Sequence, residues 1–287
     1  MDLNSVAAIV VPRERDDLRK WEPGDAWLAG GTWLFSEPQP ALRRLVDLSR
    51  LGWPPYQITD DGLVVGATCT IAELDRLELP GAWIAAPLVG QCCRALLGSF
   101  KIWNMATVGG NICLALPAGP MISLAAALDA TCVLWTPDGA ERRMAVVDFV
   151  LGSQQTALAP CEILRCIDLP VAGLRRRTAF RQISLSPNGR SGALLIGTLD
   201  AAGAFILTVT ASTRRPRQMS FPNLPDAATL HAAIARGIPD TLYHDDVHGA
   251  PDWRRHMTFL LAEEIRSEFQ GRAAVDGNAG FDGSASA

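Results

Sequence analysis

The sequence predicts an α+β fold built from two or three small units, and three observations predict it. Short apolar runs bounded by Gly, Pro and Asp clusters read as strands, and they alternate irregularly with a few stretches of helical periodicity. A chain of 287 residues, 48% of them hydrophobic, is long enough for more than one packed core. After Pro170 the composition changes, and arginine-rich sequence opens a last segment with its own hairpin and two helices.

In chain order, strands are expected at residues 7–11, 26–29 and 45–48, the second ending abruptly in Gly30-Gly31-Thr32. Turn residues at 52–55 and 59–62 place a boundary near residue 52. A strand at 62–67 leads into Thr70-Ile71-Ala72-Glu73, whose spacing lets the Thr hydroxyl and the Glu carboxylate cap a helix reciprocally, so a helix should begin at Ile71. Residues 82–97 carry Trp83, Ile84, Leu88, Cys92 and Leu96 on one stripe and read as a helix ending near Gly98. Ala106-Thr107-Val108-Gly109-Gly110-Asn111-Ile112 reads as a second glycine turn, followed by a short helix at 122–128. Strands at 131–135 and 142–147 flank Pro137-Asp138-Gly139, and another strand at 163–169 stops at Pro170. The last segment reads as strands at 178–185, 193–199 and 204–211, then helices at 227–235 and 252–269. From Ala273 the chain is rich in Gly, Ala, Ser and Asp, a composition expected to stay disordered. The divisions are therefore 1–52, 53–174, 175–272 and a tail of 273–287.

Composition excludes several functions. Twenty-six basic residues against thirty acidic ones give a net charge of −4, which offers no overall attraction to nucleic acid or an anionic membrane. No apolar run reaches the roughly 20 residues of a membrane span, and the N-terminal segment meets charge early, so the cytoplasm is the expected location. The seven cysteines sit mostly in apolar sequence and include no C-x-x-C pair, which argues for reduced thiols and against a zinc or iron–sulfur site in this chain. No metal ligand set is assigned. His244-Asp245-Asp246-Val247-His248 offers metal-ligand chemistry at close spacing but reads more simply as a solvated loop. Cys92-Cys93 reads as packing on the helical stripe.

The two diglycine words carry the functional signal. Glycine admits positive φ and close approach of the backbone to a ligand, and successive N–H groups in such a turn make an anion-binding nest. Thr32 and Thr107 add hydroxyls, and Asn111 adds an amide that can bind ligand or brace its turn. Either diglycine alone reads as an ordinary tight turn. Together, two converging nests would suit a diphosphate. Neither G-x-G-x-x-G after a strand nor G-x-x-x-x-G-K-[ST] occurs, so a Rossmann or P-loop scaffold has no motif.

Leu28-Ala29-Gly30-Gly31-Thr32-Trp33-Leu34 resembles A-G-G-T-D-L, and Asn104-Met105-Ala106-Thr107-Val108-Gly109-Gly110-Asn111-Ile112 resembles N-x-A-T-I-G-G-N-I. These are the two FAD pyrophosphate loops of the FAD-binding medium subunit of the molybdenum hydroxylases, the carbon monoxide dehydrogenase and xanthine dehydrogenase family. Pro117-Ala118, Thr156-Ala157-Leu158, Glu162-Ile163-Leu164 and Ala179-Phe180-Arg181 extend the resemblance over nearly the whole chain. It implies a vanillyl-alcohol-oxidase-like (PCMH-type) FAD-binding domain of two subdomains plus a small C-terminal α+β domain. FAD contacts are implied at Ala29, Gly30, Gly31, Thr32, Trp33, Leu34, Ala106, Thr107, Val108, Gly109, Gly110, Asn111, Leu164 and Arg181. No residue of this chain is implied to be catalytic toward the organic substrate.

The same resemblance implies partners: a large molybdopterin-binding subunit and a small [2Fe–2S] subunit, assembled as a dimer of heterotrimers. FAD would pass electrons from the clusters to an acceptor. The alternative is an assembly subunit that has lost FAD. Three departures bear on this choice. Where the family has Ser-Pro-x-x-Asp, this chain has Leu116-Pro117-Ala118-Gly119-Pro120, with no carboxylate for the flavin; Trp33 replaces a small or acidic residue; and Trp103 stands where Arg is frequent.

Overall fold

The computed structural model describes residues 3–278, with side-chain surroundings described as far as Gly271. Strands β1 (Ala8–Val10), β2 (Asp25–Leu28) and β3 (Arg44–Asp47) form a parallel sheet in the order β1-β3-β2. Register is fixed at one end by a charge pair: Asp25 and Arg44 lie opposite each other on β2 and β3, and Arg44 Nε and Nη2 reach the Asp25 carboxylate at 2.8 and 2.6 Å. A parallel pair needs a long crossover, and residues 29–43, which hold the first glycine word, supply it.

The second block runs through β4 (Tyr56–Thr59), β5 (Gly62–Gly66), α1 (Ile71–Asp75), α2 (Ala86–Ala95), α3 (Phe100–Trp103), α4 (Val108–Leu114), α5 (Pro120–Ala127), β6 (Thr131–Trp135), β7 (Glu141–Ala145), α6 (Val146–Phe149), β8 (Val150–Gly152), β9 (Gln155–Thr156) and β10 (Ile163–Pro170). Its antiparallel sheet has the order β4-β5-β10-β6-β7. The capping box predicted for α1 is present: Thr70 Oγ1 accepts from Glu73 N at 3.2 Å, and Glu73 Oε2 accepts from Thr70 N at 2.8 Å. α2 begins four residues later than the apolar stripe suggests, because Pro87 is tolerated only in a helix's first turn. Every residue of α5 is buried, which is the pattern of a helix covered on all sides.

The covering elements come from the last block: α7 (Val171–Leu174), β11 (Arg177–Ile183), β12 (Ala193–Leu199), β13 (Phe205–Thr210), β14 (Arg217–Phe221), α8 (Ala227–Gly237) and α9 (Pro251–Asn278). The four strands form an antiparallel meander. Period-two alternation sorts their side chains onto two faces. Ala193 and Leu195 pack with Leu230, Ile234, Leu261, Ile265 and Phe269 of α8 and α9, whereas Leu194 and Ile196 share one core with α5. Ser123 Oγ and Thr210 Oγ1 hydrogen-bond at 2.6 Å across that inner face. The change at residue 175 is thus a change of sheet, and the hydrophobic core continues across it.

Four strands escape the sequence reading: the short pair β8 and β9, and β4 and β14. β4 is an exposed edge with every residue in solvent, and β14 alternates weakly because Arg217, Gln218 and Ser220 interrupt it. The expected disordered tail divides: α9 includes its first positions, through Asn278, and 279–287 lie outside the described residues. Among the described residues, no helix is long and apolar enough to cross a membrane.

Candidate functional site

The two glycine words meet. Together they line a cavity of about 660 Å³, the first word through all of Ala29–Leu34 and the second through Ala106, Thr107, Gly110 and Asn111. That volume lies within the roughly 300–1,000 Å³ typical of cofactor sites. Contact between the loops requires the absence of side chains: a Cβ on Gly30 would fall 1.7 Å from the carbonyl oxygen of Met105. At Gly31 the requirement is conformational, with φ at +69°.

The first loop keeps carbonyls engaged and leaves amides free. Its carbonyls are engaged, Gly31 O accepting from Phe35 N at 2.9 Å and Trp33 O from Ser36 N at 2.9 Å. The backbone N–H groups of Gly31, Thr32, Trp33 and Leu34 have no acceptor among the described residues. A run of unsatisfied donors on a cavity wall is what a phosphate needs.

The second loop does not form the expected nest, and the reason is local. Thr107 is a helix N-cap, and Gly109-Gly110 lie in the first turn of α4 instead of in a turn between elements. Val108 N donates to Cys69 O at 2.8 Å, Gly109 N to Ala67 O at 2.9 Å, and Gly110 N to Thr107 Oγ1 at 3.0 Å. What this wall offers is the Thr107 hydroxyl proton, the Asn111 amide nitrogen and bare backbone at Gly110. Asn111 also braces the wall, since its Oδ1 accepts from Met121 N at 3.1 Å. Gly109 faces away from the cavity, where an added Cβ would sit 2.7 Å from the Ala67 backbone.

The remaining implied contacts lie elsewhere. Val108 and Leu164 are core residues. Arg181 is held outside the cavity by Glu264 at 2.9 Å and Glu268 at 2.8 Å. Pro120, at the position of the family's carboxylate, is buried as the first residue of α5, where proline's preset φ favours the helix start. Trp33 lines the cavity, and Trp103 supports it by donating from Nε1 to Leu96 O at 3.1 Å.

Sequence reasoning missed part of the lining. Leu96, Leu97, Ile102, Leu114 and Leu116 add apolar lining of the kind that suits an aromatic ring system. Arg190 and Ser191, from the β11–β12 connection, close another side. No pattern in Ser186-Pro187-Asn188-Gly189-Arg190 signals this, because the position is set by the fold of the third sheet. Cys113 also lines the cavity, and burial pushes its thiol up to about 12.

Away from the cavity, the His244–His248 segment serves a buried cation. Arg254, 1% exposed, donates to Gly249 O at 2.8 Å, Gly192 O at 2.7 Å, Ala211 O at 2.6 Å and Asp246 Oδ1 at 2.5 Å. Burial lowers the pKa of His244, which lies 3.3 Å from Asp246. Among the described residues no three His, Cys, Asp or Glu side chains are grouped to hold a metal ion. Cys92 and Cys93 are core residues whose thiols burial pushes up, Cys93 to about 12.

Over 126 residues the chain is 31% identical to xanthine dehydrogenase of Oryza sativa subsp. japonica, covering 40% of the chain and 9% of that enzyme. It is 28% identical over 263 residues to the carbon monoxide dehydrogenase medium chain of Afipia carboxidovorans, covering 86% of the chain and 89% of that relative. The chain spans about half the length, or less, of the other curated relatives that it matches. Reconstituted CO dehydrogenase from Oligotropha carboxidovorans superimposes with a TM-score of 0.79 at 23% identity over 93% of this chain and 99% of that one, which shows a shared fold. Residues 15–172, more than half of the chain, match the family described as the FAD binding domain in molybdopterin dehydrogenase, and the chain belongs to that family.

Proposed function

We propose that this protein is the FAD-binding electron-transfer subunit of a heterotrimeric molybdopterin-dependent hydroxylase or dehydrogenase. The carrying observation is the cavity lined by both glycine words, with free N–H donors on the first loop and apolar side chains in the lining. Bound FAD would supply two-electron to one-electron exchange between a substrate-derived reductant and an acceptor. The residues present fit it. Gly31–Leu34 N–H groups, the Thr107 hydroxyl and the Asn111 amide would hold the diphosphate, with Gly30 and Gly110 providing clearance. Leu96, Leu97, Ile102, Leu114 and Leu116 would exclude water from a ring system. Asn111, fixed through Met121 N, would keep the second wall at a constant distance from the first.

The finer assignments belong to the same reading. The fold is taken as vanillyl-alcohol-oxidase-like (PCMH-type), with subdomains 1–52 and 53–174 and a C-terminal domain at 175–272. A small subunit with [2Fe–2S] clusters would deliver electrons, a large molybdopterin subunit would carry out hydroxylation, and two heterotrimers would pair in the cytoplasm. Support comes from the family match, from the medium-chain relative, and from the absence of a cluster-ligand pattern in this sequence. The test is to purify the chain alone and with copurifying subunits and assay both with the complex's organic substrate. Turnover is expected only for the assembly, while the flavin-loaded chain alone, once its FAD has been reduced with dithionite, passes those electrons to an artificial acceptor. Turnover by the isolated chain, free of molybdenum and iron, contradicts the proposal.

A further inference from the structure

Among the side chains lining the cavity, one carries a charge: Arg190. Other arginines near the sheets are engaged, Arg94 with Asp75, Arg142 with Glu162, Arg181 with Glu264 and Arg254 with Asp246. Arg190 has no carboxylate partner among the described residues. Its guanidinium carbon lies 5.9 Å from the centre of the Trp33 ring, a weak cation–π contact.

The chain on either side of the cation is held. Ser191 is buried and its Oγ accepts from Gln182 Nε2 at 2.9 Å. Gly192 N donates to Ile183 O at 2.8 Å, and Gly192 O accepts from buried Arg254 at 2.7 Å. A hairpin held by the third sheet thus presents an exposed cation, without a carboxylate partner among the described residues, beside the loop whose N–H groups lack acceptors. Neutral donors alone leave two negative charges unbalanced in a partly apolar cavity, and a guanidinium supplies both charge and a bidentate fork.

We propose that Arg190 is a binding residue for the ligand's diphosphate, clasping it against the Gly31–Leu34 backbone and exchanging its contact with Trp33 for the phosphate oxygens. This assignment rests on the FAD reading above. It makes the third sheet a contributor to the cofactor site and explains why its β11–β12 connection is anchored by a buried arginine.

The experiment compares the full-length chain, stripped of flavin, with Arg190→Gln and Arg190→Lys, using FAD and riboflavin as probes and flavin-fluorescence quenching as the readout. Circular dichroism checks that the variants are folded. For Arg190→Gln the FAD Kd should rise about 10- to 100-fold, riboflavin affinity should hold within about twofold, and Arg190→Lys should recover part of the loss. The increase of FAD Kd with NaCl should also be shallower in Arg190→Gln than in the unaltered chain. An unchanged FAD Kd, or an equal loss for riboflavin, overturns the assignment. Failure of the unaltered chain to bind FAD overturns the functional reading itself, and the Arg190 assignment falls with it.

Discussion

Gly30 and Met105 belong to loops separated by more than seventy residues, yet a Cβ on Gly30 would stand 1.7 Å from the Met105 carbonyl oxygen. That contact sets how closely the two loops approach. Gly30→Ala should force the loops apart, lower stability by about 1–3 kcal/mol and reduce flavin content, as overpacking does at a rigid backbone contact. Urea unfolding and flavin absorbance of the purified variant measure both; unchanged values for both would remove Gly30 from the site.

The adjacent glycines of α4 should separate fold from binding. Gly109 packs on the Ala67 backbone, whereas Gly110 is exposed toward the cavity and an added Cβ meets only Thr107 Oγ1, at 2.8 Å. Gly109→Ala should chiefly reduce stability. Gly110→Asp, which places negative charge on the cavity wall, should collapse flavin content while circular dichroism and the unfolding midpoint stay close to those of the parent. Full flavin retention in Gly110→Asp would show that this wall does not face the diphosphate.

Acid sensitivity should centre on two buried carboxylates. Hydrogen bonding from Arg142 holds Glu162 below its ordinary carboxyl value against the opposing effect of burial, and Arg44 does the same for Asp25. A carboxylate depressed in the folded state contributes stability that is fully present above its unfolded pKa of about 4 and is lost as pH falls through the folded pKa. Stability should therefore be level near neutrality and decline below about pH 4. Glu162→Gln should cost about 1–2 kcal/mol at pH 7, discounted for the partly exposed Arg142, and should flatten the acid slope. Urea midpoints between pH 3 and 7 measure this, and an identical slope in the variant would contradict it.

Thiol chemistry should be nearly silent. Burial raises the thiols of Cys69, Cys93, Cys113 and Cys166 to about 12 and moves those of Cys92 and Cys132 upward as well. Because the thiolate is the reactive species, iodoacetamide at pH 8 should mark half-buried Cys161 first, and the others only after denaturation. Fast native labelling at Cys92 or Cys93 would contradict the packing assigned to that pair.

Much of the fold was legible because its signals are local. The Thr70–Glu73 box, the turn at Asp200 and the strand Thr131–Trp135 are each specified by residues within a few positions. The exposed edge β4 and the polar β14 were not, since partners distant in sequence hold them in place. At the site, the glycine words were legible as words, but their geometry was not. That Gly109 and Gly110 donate to Ala67 and Thr107 depends on how α4 docks against the strand end at Ala67. Arg190 was invisible for the same reason: only the third sheet brings it over Trp33.

The two glycine loops should together hold one FAD. The most direct test is to purify the full chain under native conditions, release the bound cofactor by heat, and identify and count it by chromatography and absorbance. FAD is expected at close to one per chain. A colourless, flavin-free protein that also fails to take up added FAD, or one that releases FMN, would contradict it.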